Sequence, residues 1–271
     1  MGDKAESNAS PSISTGSKAP LVSSPAATGG AGTFFEQHVN AYWLAQLLVG
    51  AIPPILYDCS VVEVDLQTEV LGWHTDDFLI VGESAPGQQR KLAGQVKRSF
   101  TVSATDDQCK KAVQDFWADF KDAGHFNPAT DRFALVTLRG TTTLLEYFAG
   151  LLDTARAARD ASEFEHRLAT KGFLNAQSVR YAEEIRTIVG AIEGRSVSAG
   201  ELWAFLRVLH VLSLDLTTAT QQTEASMKTL LAYTAGGGGS SRRSERFLER
   251  PAPRGRRRLA DRAPLPAAGS T

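Results

Sequence analysis

Apolar and polar residues follow two different periods along this chain, and the shift between them sets its organisation. Over residues 33–49, Phe35, Val39, Tyr42, Trp43 and Leu47 recur at helical spacing, and Pro53-Pro54 closes that helix. Residues 61–66 (VVEVDL) alternate and predict a strand. Residues 77–81 form a short apolar strand with an acid at its mouth, and 91–97 form another. The Pro86-Gly87 pair between them is a turn signal, which predicts a hairpin. Residues 105–122 place Val113, Phe116, Trp117 and Phe120 on one helical face, with Thr105 or Asp106 as N-cap. A fourth strand is expected over 132–138. Beyond Gly140 the period is helical throughout, and helices are predicted over 143–159, 162–171, 176–190, 199–214 and 217–233. The order is therefore α-β-β-β-α-β followed by an all-helical annex, an α/β arrangement.

Composition divides the chain in the same way. Residues 1–30 are rich in Ser, Ala, Pro and Gly and are expected to form a disordered tail. A core is expected over 31–140 and the helical annex over 141–235. From Gly236 a Gly tract leads into an Arg/Pro-rich tail to residue 271, also expected to be disordered. Nine arginines in that tail face only Glu245, Glu249 and Asp261. It is readable as a nucleic-acid-binding arm, as a solvated tail, or as the altered end of a truncated gene product.

The whole chain of 271 residues has a net charge of −1, so it exerts no global pull on nucleic acid, and contacts to DNA must come from local patches. Cys59 and Cys109 are too few for a disulfide framework or a cysteine-rich zinc site. There is no secretory signal and no membrane-spanning apolar run. Glu6 stands where a myristoylation signal needs Ser or Thr. Cytoplasm is the expected location.

The chemistry concentrates near the hairpin. Phosphodiester hydrolysis needs a divalent ion on the phosphate and an activated water. Magnesium takes oxygen ligands and keeps several waters, so few protein oxygens suffice. Asp77 offers a carboxylate. Gln95 and Lys97, two apart on a strand, share a face. Gln95 offers an amide oxygen and Val96 its backbone carbonyl. Lys97 is the candidate to orient or deprotonate water and to stabilise charge on the phosphate. Glu36, from the first helix, is a candidate outer ligand. Asp76 competes with Asp77 for the metal. The two point to opposite faces, and Asp77 is preferred because it directly precedes the apolar run. Arg98, beside this set, is a candidate phosphate contact, as are Lys110 and Lys111. Taken singly, each residue also has an ordinary reading: an Asp before a strand as a turn former, a terminal strand Lys as an edge guard, Lys110-Lys111 as a solvated face. The five histidines are scattered without ligand spacing, and no Gly-x-Ser-x-Gly elbow occurs.

Longer stretches point to one family. Residues 28–39 (TGGAGTFFEQHV), Ala41-Tyr42-Trp43-Leu44, Asp76-Asp77-Phe78, Gln95-Val96-Lys97-Arg98 and Phe116-Trp117-Ala118-Asp119-Phe120 resemble the CD-NTase-associated endonuclease domain. Leu202-Trp203-Ala204-Phe205-Leu206 in the annex fits as well. That domain is the nuclease half of nuclease–SAVED effectors in CBASS antiphage defence and the effector end of some antiviral STAND NTPases. The resemblance implies a restriction-endonuclease-like PD-(D/E)xK core in its Gln-x-Lys variant. It further implies Mg2+-dependent cleavage of double-stranded DNA with little sequence preference, at Asp77, Gln95 and Lys97 with Glu36. The chain departs from the family in carrying neither a SAVED sensor nor a Walker-type phosphate loop. A separately encoded sensor is one partner this leaves open, and the helical annex is readable as a surface that pairs two copies of the chain into a homo-oligomer so that both strands are cut. Two other readings stand beside this one: a non-catalytic DNA- or partner-binding remnant, and a modification-dependent Mrr-like restriction nuclease.

Overall fold

The computed structural model describes residues 30–138, 140–216 and 222–236. Apart from Gly30 and Gly236, the two expected tails lie outside the described residues, as do the first residues of the helix expected from 217. The elements are α1 (Gly30–Leu48), β1 (Ser60–Leu66), β2 (Phe78–Ala85), β3 (Gln88–Lys97), α2 (Asp107–Lys121), β4 (Arg132–Thr137), α3 (Ala149–Ala157), α4 (Ala161–Ala169), α5 (Ala176–Glu193), α6 (Ala199–Leu206), β5 (Leu209–Ser213) and α7 (Gln222–Gly236). A wide π-turn, Thr143–Phe148, leads into α3.

The strands form one sheet in sequence order, β1-β2-β3-β4-β5. β1, β2 and β3 pair antiparallel; β3, β4 and β5 pair parallel. Strand alternation sends side chains to two faces, and each face is apolar. Phe78, Ile80, Leu92, Val96, Ala134 and Val136 meet Phe35, Val39 and Trp43 of α1 and Met227 of α7. Leu79, Ala93 and Phe133 meet Val113, Phe116 and Trp117 of α2, and beyond them α3, α5 and α6. The result is a sheet between two helical layers. The second core runs across residue 140 without a break, from Trp73 through Phe133 to Leu209.

The hairpin expected at Pro86-Gly87 is present. Gly87 takes φ +77°, the left-handed region a tight turn requires there, and its N–H donates to Glu83 Oε1 at 2.8 Å. Asp106, rather than Thr105, caps α2 by accepting from the Cys109 N–H. Gly94, beside the candidate ligand Gln95, is needed for close approach: a Cβ there would fall 2.0 Å from Cζ of the buried Phe78 ring.

One element differs in kind. The helix predicted over 199–214 stops at Leu206, and Leu209–Ser213 is strand β5 on the outer edge of β4. The spacing Leu202, Phe205, Leu206, Leu209 is helical, so periodicity alone carries the helix on. Pairing with β4 overrides it: Phe133 N–H donates to Val208 O at 2.9 Å, and Leu214 N–H to Thr137 O at 2.9 Å. The part after residue 140 is thus helical but returns one strand to the sheet.

Candidate functional site

The C-terminal end of β3, the entry to β2 and the first turns of α1 and α2 enclose an open cleft of about 590 Å³. Glu36, Asp77, Val96, Lys97, Arg98 and Lys111 line it. α1 delivers Glu36 because its apolar stripe, one residue away at Phe35, is anchored in the sheet. β2 delivers Asp77 at its mouth, and β3 delivers Lys97 at its end.

Asp77 is tied to β3. Its Oδ2 accepts the Val96 N–H at 2.5 Å and lies 3.9 Å from Lys97 Nζ. No protein group among the described residues bonds its Oδ1. Burial pushes the Asp77 carboxyl upward from the ordinary range; the Val96 N–H and Lys97 oppose this, and Asp76 and Asp115 add to it. Glu36 is raised as well, by burial first and then by Asp77, with Lys97 opposing. Burial, more than mutual repulsion, is what resists ionisation at both carboxyls, and Lys97 on the same cleft opposes it. Asp76 contributes to that repulsion, while its backbone carbonyl accepts from the Thr68 N–H at 2.8 Å.

Gln95 lies behind the cleft wall rather than on it. It is 1% exposed, and its Nε2 donates to Asp115 Oδ2 at 2.7 Å. Both Asp115 oxygens also accept from Lys111 Nζ, at 2.6 and 2.8 Å. The Gln95 Oε1 is buried without a partner. A buried amide oxygen left unsatisfied is costly and calls for a donor or a cation. Among the described residues no three His, Cys, Asp or Glu side chains converge as a metal cluster. The available donors are therefore oxygens of low total charge: the Asp77 carboxylate, the Gln95 amide oxygen and the Val96 carbonyl. That donor chemistry fits Mg2+, which keeps much of its water, and not zinc.

Of the three cations expected to meet DNA, Arg98 lines the cleft and has no carboxylate partner among the described residues. Lys111 lines it too but is held by Asp115. Lys110 is elsewhere, paired with Asp107 at 2.6 Å and lining a separate groove against α5.

Sequence reasoning gave no role to Asp115 or Asp119. They sit four apart on the sheet-facing side of α2 and are 4% and 1% exposed. Acids repeated on the face that also carries Phe116 were the available signal. Asp119 accepts the backbone N–H groups of His74 at 2.9 Å and Thr75 at 2.7 Å, pinning the loop that leads into Asp76 and Asp77. Asp119→Ala leaves both amides unpaired and is expected to cost about 2–4 kcal/mol. For a chain of this size that lowers the thermal midpoint by about 5–15 °C. Thermal melting checks the cost, and faster amide exchange at Thr75 localises it. An unchanged midpoint would mean the loop holds itself.

No protein-family model and no curated protein match this chain. Among solved structures it is similar to the Cap4 SAVED/CARF-domain containing receptor of Moraxella osloensis, at 12% identity and a TM-score of 0.36. It is similar also to that of Acinetobacter baumannii, solved with the cyclic trinucleotide 3'3'3'-cAAA, at 10% identity and a TM-score of 0.36. Each match covers 77% of this chain, and 38% and 35% of the respective receptor. The chain thus spans little more than a third of either receptor, and a likeness this loose carries no inference. No described helix is long and apolar enough to cross a membrane.

Proposed function

We propose that this chain is a metal-dependent endonuclease acting on double-stranded DNA. The observation that carries the reading is the meeting of Asp77 and Lys97 in one cleft, with the unpartnered Gln95 oxygen buried behind it. Mg2+, when bound at Asp77, Gln95 and the Val96 carbonyl, would polarise the phosphate and acidify a water. Asp77 holds β2 and β3 together at the point where the phosphate would sit. As an ammonium Lys97 would stabilise the developing charge and orient the water; only as the neutral amine would it take up the water's proton. Arg98 supplies a phosphate contact free of internal competition. Glu36, with its raised carboxyl, closes the far wall.

The antiphage-defence setting rests on the sequence resemblance given above. So do a separately encoded sensor and pairing of two chains to cut both strands. The neutral Gln95 favours a second reading, a DNA-binding module without catalysis. Incubating supercoiled plasmid with the purified chain, in Mg2+ and in EDTA, separates the two. Mg2+-dependent nicking and linearisation are expected. Binding that is tight in EDTA, with no cutting in Mg2+ even when the chain is fused into a forced dimer, would replace the first reading by the second.

A further inference from the structure

We infer that Asp115 is a positioning residue for the metal site: it fixes which atom of the Gln95 amide faces the ion and returns, one side chain back, the negative charge that a neutral glutamine omits. The inference rests on the metal-dependent reading above.

An amide side chain offers a donor end and an acceptor end, and either end can face a ligand. Here the choice is made by Asp115. An ionised carboxylate accepts only, so the end at 2.7 Å from Asp115 Oδ2 is Nε2, which leaves Oε1 as the free end. Lys111 fixes Asp115 in turn, with Nζ within 2.8 Å of both oxygens at i,i+4 spacing along α2. The chain Lys111–Asp115–Gln95 therefore runs from the rim of the cleft to the amide and terminates in one unsatisfied oxygen. Asp115 is 4% exposed and stands one side chain behind the Gln95 amide. Lys111 offsets part of its charge, and what remains strengthens the field felt by a cation at Asp77 without touching it, as outer-shell partners of metal ligands do.

This arrangement explains why glutamine suits position 95. A carboxylate there would face Asp115 at hydrogen-bond distance, and the two would repel. The acid has in effect been moved from the strand to the facing helix, with an amide in between.

The test is a swap, read by calorimetric titration with Mn2+ and by thermal melting without metal. Asp115→Asn keeps an oxygen for the Gln95 amide but loses the charge, and is expected to weaken Mn2+ binding about 10-fold. Gln95→Glu is expected to lower the melting temperature and weaken Mn2+ binding, through repulsion from Asp115. The double variant Gln95→Glu/Asp115→Asn restores a carboxylate–amide pair in the opposite sense and is expected to recover both properties. A purely structural Asp115 recovers the melting temperature in the double variant but not Mn2+ binding, since residues in contact couple in stability whether or not they serve a metal. Independently of metal, a Gln95 side-chain amide proton is expected to exchange slowly in the NMR spectrum of the unaltered protein and rapidly in Asp115→Leu. The inference is overturned if Asp115→Asn binds Mn2+ like the unaltered protein, or if the double variant binds Mn2+ no better than the worse single one. Absence of Mn2+ binding by the unaltered protein overturns the metal reading as well. Slow exchange of the amide would then leave Asp115 as a structural contact only.

Discussion

Asp77→Asn is expected to abolish Mg2+-dependent cleavage and, at the same time, to make the protein more heat-stable. The first effect follows from the ligand set. Asp77 is the one carboxylate among the proposed donors, and the ion would lose most of its electrostatic hold without it. A loss exceeding about 100-fold is expected, because disturbing even an outer-shell partner costs 10- to 100-fold. The second effect follows from the raised carboxyl. A carboxyl that holds its proton more tightly folded than unfolded carries no penalty below its unfolded pKa. The penalty builds as pH rises from the unfolded value to the folded one and persists above it. Asparagine removes it, and its Oδ1 still accepts the Val96 N–H. Melting in metal-free buffer at pH 7 should show a midpoint a few degrees higher for the variant, and the gap should close in acid. Added Mg2+ should raise the midpoint of the unaltered protein only. A variant that melts lower at pH 7 would show that the hydrogen bond and Lys97 outweigh the burial cost.

Lys97→Ala is the second large effect. Its cleavage rate is expected to fall by about 10²–10⁴, the range for losing a positioned proton-transfer or charge-stabilising group. Stability should barely move. The Lys97 side chain is a quarter exposed, and its ion pair with Asp77 is long at 3.9 Å, so the pair contributes little to folding. Lys97→Arg should not restore the rate, since guanidinium gives up no proton and is a planar fork rather than a point charge. Single-turnover cleavage with saturating DNA, beside circular dichroism, reads both halves. A rate within twofold of the unaltered protein would remove Lys97 from the chemistry.

The strands and the site were unequally legible in the sequence. β1 alternates openly, and Pro86-Gly87 marks the hairpin, so the antiparallel half of the sheet could be read from local signals. The spacing of Gln95 and Lys97 was readable for the same reason, because a period of two fixes the face. β5 was not, because Leu202 to Leu212 satisfies a helical period. Its only local hint is Val208 and Val211, and the pairing that decides the matter is with a strand far away in sequence. Asp115 and Asp119 were hidden by the opposite effect. Acids on a helix ordinarily face water, and only the folded chain reveals that these two are buried against Gln95 and the 74–75 amides.

β5 also bears on how the molecule is made. Gln95 and Lys97 leave the ribosome early, and β4 follows soon after. The outer flank of β4 then stays open through a long run of helices, until Leu209–Ser213 emerges and pairs with it. Contacts so distant in sequence close late, after the chain entropy between them has been given up. A nascent chain therefore carries the residues of the cleft well before it has the completed sheet that holds them in place.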